Sequence, residues 1–170
     1  MIVSEFEDVM LREFEERDIL QKVEWINDPE NNQFLHYELP VRVDKTIAWF
    51  YSKDNNRRKD CVIEYQGIAV GVIGLLQIDR ENSKAEYYIT IGNKNYKNKG
   101  IATKATYAIL DYAFKSLKLH KVYLTVDSEN IAAIKLYKKM GFKHEGHFID
   151  DMFSPRKLEF IDRDRFAIIR

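Results

Sequence analysis

The chain is 170 residues long, with 45% apolar and 13% aromatic residues, which allows one substantial core and is too short to presume a second. Lysine plus arginine equals aspartate plus glutamate at 27 each, so no overall field draws the protein to nucleic acid or to an anionic membrane, and any anion site must be local. Met1 to Asp8 lacks the basic start and apolar run of a signal peptide, and no later stretch is long enough to span a bilayer; one cytoplasmic domain over residues 1–170 is expected.

In chain order, Val9 to Phe14 alternates like a first strand, and Asp18 is placed to cap a helix running to about Asn27, where Asp28-Pro29 stops it. A second helix is expected from about Asp44 to Tyr51, and the polar run Ser52 to Asp60 reads as a surface turn. Cys61 to Tyr65 and Ile68 to Ile78 are β-rich and separated by Gln66-Gly67, a tight hairpin turn. The second run is apolar at nearly every position, which predicts a central strand covered on both faces. Cys61, the only cysteine, excludes an internal disulfide and a cysteine-based zinc cage; in this apolar setting it reads as a core thiol rather than a nucleophile.

After a polar turn at Asp79 to Ser83, Ala85 to Ile91 is a strand, Ile101 to about Leu117 carries apolar residues at helical spacing, and Lys121 to Val126 is a strand again. That order implies a right-handed crossover between parallel or near-parallel strands. Ala132 to Met140 is a further helix, and Gly141-Phe142 fits a left-handed cap followed by an apolar residue folding back. The tail, roughly Gly146 to Phe153 and Leu158 to Ile169, is two more strands around Ser154-Pro155. The class is α+β, a mixed sheet flanked by helices. His36, His120, His144 and His147 show no metal spacing, and 144 and 147 are expected on opposite sides of a strand, so no metal is expected.

Between the strand ending at Ile91 and the long helix lies Gly92 to Ala102, with Thr103 opening the helix, and Lys94, Lys97 and Lys99 crowd this helix N-terminus in an otherwise neutral protein. First-turn N–H groups have no partner within a helix, the helix dipole is positive there, and Gly100 and Ala102 leave room for a phosphate to approach the backbone. A solvated basic turn is the alternative; the spacing Lys97-x-x-Gly100-x-Ala102 favours the anion site. The Walker pattern and a Rossmann Gly-x-Gly-x-x-Gly are both absent. A second element follows, with Asn130 after the strand, then Tyr137, then Gly141-Phe142.

These two elements resemble the GNAT superfamily of N-acetyltransferases, whose signature is Gln or Arg, two residues, Gly, one residue, then Gly or Ala, between a strand and a long helix. Lys97 stands where Gln or Arg is usual, at a place where backbone N–H groups carry the contact. The resemblance implies acetyl-CoA as cosubstrate and a mixed, mostly antiparallel sheet in which a splayed strand pair holds it. Pantetheine would pair with the free edge of Glu86 to Ile91, an N–H near Ile89 would polarise the thioester carbonyl, and Lys97, Asn98, Lys99, Gly100, Ile101, Ala102 and Thr103 would hold the phosphates. Tyr137 would protonate the leaving thiolate, its ordinary pKa of about 10 keeping it protonated at neutral pH; otherwise it packs on its helix's apolar side with Ala133 and Met140. Glu86 would take the amine proton, directly or through water, or stand solvated. Asn130 would bond a pantetheine amide or orient Tyr137, or cap the helix that follows.

Within the superfamily, the chain resembles the branch of ribosomal-protein N-terminal, spermidine and nucleotide-linked amino-sugar acetyltransferases. The cues are Leu11-Arg12-Glu13-Phe14, Trp25 with Asn27-Asp28-Pro29, Leu119 to Leu124, Glu145-Gly146-His147 and Phe160-Ile161-Asp162. This implies direct attack of a primary amine through a tetrahedral intermediate, the acceptor being a polyamine, a protein N-terminus or an amino sugar, with a homodimer left open. Trp25, Phe34, Tyr37, Trp49, Phe50 and Tyr51 could line the acceptor cleft, although most read as core; Glu38, Asp150, Asp151 and Glu159 could attract a polyamine. A non-catalytic acyl-CoA-binding or regulatory domain of the same fold is the alternative, against which Tyr137 argues.

Overall fold

The computed structural model describes residues 1–170. Its order is β1 (Ile2–Phe6), β2 (Val9–Glu13), α1 (Ile19–Asn27), α2 (Val43–Ser52), β3 (Lys59–Tyr65), β4 (Ile68–Asp79), β5 (Lys84–Ile91), α3 (Ile101–Asp111), β6 (Lys121–Asp127), α4 (Ile131–Lys139), β7 (Lys143–Ser154) and β8 (Glu159–Ile169). The eight strands form one sheet in the order β1-β2-β3-β4-β5-β6-β8-β7. Only the β5–β6 pair is parallel, so the mixed, mostly antiparallel sheet expected from the sequence is the one observed. No helix is long and apolar enough to cross a membrane.

Strand alternation sorts the side chains to two faces. Leu11, Ile63, Ile73, Leu75, Tyr87, Val122, Leu124 and Phe166 turn one way and share a core with Ile101, Ala105, Ala108 and Ile109 of α3 and Tyr137 of α4. Phe14, Val62 and Val72 turn the other way and meet Ile19, Val23 and Trp25 of α1. β4 contributes to both clusters, as its unbroken apolar run requires. Gln66 and Gly67 both take left-handed φ values, 51° and 78°, the geometry whose twist matches a two-residue hairpin. Cys61 has no exposed surface, and burial pushes its thiol up to about 12, so it stays neutral in the core as expected.

Four local readings change. Met1 to Asp8, read from the sequence only for what it lacks, contains β1, an edge strand held by β2 and by Phe6 packing on Tyr107 of α3. Asp18 does not cap α1; its carboxylate accepts from the Arg12 guanidinium at 2.7 and 2.8 Å and from the Glu15 N–H at 2.8 Å. Asp60, read in a surface turn, is 4% exposed. It accepts from Arg58 at 2.7 and 2.8 Å, from Lys53 at 3.1 Å and from the Tyr88 hydroxyl at 2.7 Å, which is how a buried carboxylate keeps its charge. His144 and His147 do not point apart: a register shift between His144 and Gly146 turns both toward Asp164, at 2.6 and 3.2 Å.

Candidate active site

β5 and β6 are paired only over Lys84↔Lys121, Ala85↔Val122 and Glu86↔Tyr123. Beyond Glu86, β5 keeps only β4 as a neighbour and β6 only β8, so the two strands part and a gap opens toward their C-terminal ends. Along β5, alternate residues turn their backbone groups to opposite sides. The Gly92 N–H goes to Val70 on the β4 side at 3.0 Å, which leaves the N–H and C=O groups of residues 87, 89 and 91 turned to the gap. An edge of this kind is a template for a ligand carrying amides in an extended chain.

The gap ends at the loop before α3. Asn98 and Gly100 both adopt left-handed φ, 59° and 74°, and the first i→i−4 bond of α3 runs from Lys104 N–H to the Gly100 carbonyl at 3.2 Å. The N–H groups of Ile101, Ala102 and Thr103 therefore have no partner within the helix. A Cβ on Gly100 would meet nothing within 4 Å, so the space beside this residue is open. Of the three lysines expected to crowd the anion site, Lys94 is turned away, paired with Asp28 at 2.9 Å and Glu30 at 3.2 Å. Lys97 and Lys99 remain, with the Lys99 ammonium 5.0 Å from the centre of the Tyr96 ring.

Two titratable side chains approach the gap from opposite faces of the sheet. Tyr137 of α4 lies on the α3 side, with its ring centre 6.0 Å from that of Tyr87 and 5.8 Å from that of Phe142. It is buried, and burial alone acts on its phenol, pushing it up to about 12. Glu86 projects to the other face, half-buried, and accepts from the Gln77 side chain at 3.3 Å. Burial raises its pKa, partly offset by Arg163 and Arg165. Asn130 accepts from the Ala133 N–H at 3.3 Å, so the capping use expected for it is formed while its amide nitrogen is left for another partner.

No spacing or motif announces what lies across the mouth of the gap. Residues 28–40 pass from the end of β5 to the end of β6: the Asn31 amide donates to the Gly92 carbonyl at 2.9 Å, and His36 Nε2 lies 2.7 Å from Asp127 Oδ1. Beside this crossing, residues 32–39 enclose a groove of about 1090 Å³ with Asp127, Ser128 and Glu129 and the β7–β8 hairpin. Phe34 and Tyr37 line it, as do Glu38 and Glu159; Trp25, Trp49 and Phe50 instead pack against the α1 core. Asp151 faces Arg163 at 3.9 Å. Asp127 and Asn31 escaped sequence reasoning because no spacing links positions 31 and 92 or 36 and 127; only the folded chain brings them together.

Residues 8–143 match the family model described as "Acetyltransferase (GNAT) domain". The chain is 33% identical over 141 residues to the spermidine N(1)-acetyltransferase of Escherichia coli K12, an alignment covering 81% of this chain and 75% of that protein. It is 31% identical over 151 residues to the spermidine N(1)-acetyltransferase of Vibrio cholerae, covering 87% of each. Among solved structures, spermidine N-acetyltransferase from Vibrio cholerae in complex with CoA and spermine matches with a TM-score of 0.86 at 29% identity, over 95% of both chains.

Proposed function

The chain belongs to the GNAT family of acetyl-CoA-dependent N-acetyltransferases, and we propose that it acetylates a primary amine of a polyamine by direct transfer, without an acetyl-enzyme. The observation that carries this reading is the parting of β5 from β6 after Glu86, ending at an open helix N-terminus: an extended amide chain and a phosphate group have adjoining sites in one continuous feature.

Acetyl-CoA, when bound, supplies the activated acetyl thioester. Ile89 and Ile91 offer backbone groups along the free edge, the Ile89 N–H being placed to polarise a carbonyl in the gap. Residues 97–103 receive the phosphates through backbone N–H groups and the charges of Lys97 and Lys99. Glu86, whose burial makes it a stronger base than an exposed glutamate, takes the proton of the amine, and Tyr137 gives one to the sulfur from the opposite face. Asn130 steadies the start of α4 and so the approach of Tyr137.

The polyamine reading is supported by the charge of the groove and by the relatives. Glu38, Asp127, Glu129, Glu159 and Asp162 outnumber Arg156 and Lys157 in its lining, an arrangement that attracts an extended polycation. Transfer of radiolabelled acetyl from acetyl-CoA to spermidine, spermine, amino sugars and peptides tests it. Polyamines are expected to be the best acceptors by kcat/KM; a preference for an amino sugar or a peptide would overturn the acceptor, and CoA binding without transfer to any amine would restore the non-catalytic alternative.

A further inference from the structure

Lys22 of α1 faces inward, 7% exposed, with its ammonium 3.8 Å from the centre of the Trp49 ring and 5.4 Å from that of Phe14. No hydrogen bond or ion pair holds that ammonium. Asp18, one turn back along the chain, is taken by Arg12, and Asp60 by Arg58, Lys53 and Tyr88. An aromatic face attracts a cation, but by less than burial costs an unpaired one, and the usual relief is loss of the proton. Burial lowers the Lys22 pKa to about 8, opposed by the charge of Asp60 and reinforced by those of Arg58 and Lys53. A desolvated lysine beside other cations is thereby made a nucleophile.

Two more cations crowd the same ring, with Arg58 Cζ 4.8 Å and Lys53 Nζ 5.4 Å from the Trp49 centre. Asp60 is the single carboxylate bonded to any of the three, so the cluster carries a surplus of positive charge. Turning the Lys22 amine into an anion would set two negative charges against two positive. The amine is also within reach of a small reagent. Buried side-chain atoms that are both unpartnered and closed off from solvent are Asn31 Oδ1 and the Nε atoms of Arg163 and Arg165, and Lys22 Nζ is not among them. A hydrated ion would have to shed its shell to enter so narrow an opening. Carbon dioxide is small and uncharged, and it combines only with a neutral amine.

We propose that Lys22 is a carbamylation site, at which the neutral Nζ adds to dissolved carbon dioxide and the carbamate so formed is stabilised by the charges of Arg58 and Lys53. The nitrogen lone pair forms the new N–C bond, one C=O π pair moves onto oxygen as the carboxylate charge, and one N–H proton leaves to water. Nothing is oxidised or reduced. Through Asp60 and Tyr88 the cluster adjoins β5, the strand that lines the gap, but no step of the reaction depends on acetyl transfer.

The test is carbon NMR of the whole protein, carrying isotopically labelled lysine nitrogen, in labelled bicarbonate at a pH near the Lys22 pKa. A carbamate carbon split by lysine nitrogen is expected in the parent and is lost in Lys22→Met, which keeps an apolar stem against Trp49 and has no amine. The amino terminus, also partly neutral at that pH, forms a carbamate without the splitting and serves as internal standard in both proteins. Should Lys22→Met fail to fold, alkylation of the parent with an oxonium salt fixes the carbamate as an ester, which peptide mass spectrometry is expected to find on Lys22. No lysine-coupled signal at saturating bicarbonate, a signal that persists in Lys22→Met, or an ester mapped to another lysine instead would overturn the proposal.

Discussion

As the proposed acid, Tyr137 would have to meet two demands that often conflict in one side chain, packing and chemistry. Its ring fills space between Tyr87 and Phe142, and the burial that comes with this raises the phenol to about 12, keeping the proton in place at any physiological pH. Tyr137→Phe retains the ring, and because burial alone acts on the hydroxyl the melting temperature is expected to stay close to that of the parent. The kcat is expected to fall about 10²–10⁴-fold at saturating acetyl-CoA, with its KM unchanged. Undiminished turnover would remove this tyrosine from the mechanism. Glu86 titrates in the opposite regime: burial raises its pKa, so as the proposed base it would be lost as pH falls through a value above its ordinary one, and the acid limb of the kcat profile is expected to lie above that of an exposed glutamate. Glu86→Gln is expected to abolish that limb, which a pH series of initial rates can check. Cys61, with its thiol near 12, contributes packing only, and Cys61→Ala is expected to stay active.

Among the elements, the start of α3 and the underside of β5 each depend on one residue. Gly100 holds φ at 74° with open space beside it, so Gly100→Val strains the backbone and fills the place a phosphate would take. The variant is expected to keep its far-UV spectrum and to lose most of the rise in melting temperature that CoA gives; an unaltered rise would place the anion elsewhere. Under β5, Asp60 ties Arg58 and Lys53 to Tyr88. Burial alone would raise its carboxyl, but bonds from Arg58 and Tyr88 and the charge of Lys53 more than reverse this and hold it below the usual range. Its contribution to stability is therefore full above about pH 4 and lost as pH falls through the lower folded value. Asp60→Asn leaves buried cations uncompensated and is expected to cost about 3–5 kcal/mol in urea unfolding at neutral pH.

Taken whole, the molecule is a sheet with a seam. Strands β1 to β5 and strands β6, β8 and β7 meet through three paired residues on each side, and a ligand in the gap would bridge the halves. A ligand that binds only the folded state stabilises it by mass action, about 2.7 kcal/mol at a hundred times Kd. CoA is accordingly expected to raise the melting temperature and to slow hydrogen exchange at the amides of residues 87, 89 and 91 more than at residues 61–63, already paired on both sides. Equal slowing everywhere would mean that binding does not engage the free edge.

Most of the helices and strands were legible in the sequence because period and punctuation are local: the unbroken apolar run of β4, the Gln66-Gly67 turn, the strand–loop–helix around Gly100 and the Asn130 to Phe142 element each lie within a short stretch of chain. The proposed donor half of the site is local for the same reason, since consecutive N–H groups at a helix N-terminus suit an anion. The edge strand β1 was not legible, being short, half-exposed and stabilised by pairing rather than pattern. Only the tertiary structure decided which charges are spent and which are free. Lys94 looks equivalent to Lys97 in the sequence, yet it is held by Asp28 and Glu30; Asp60 looks solvated, yet it is buried among cations. The crossing of residues 28–40 over the gap, which sets Asn31 against Gly92 and His36 against Asp127, joins positions 61 and 91 residues apart. Such contacts form only after the sheet has placed the ends of β5 and β6 side by side, and no local rule of spacing encodes them.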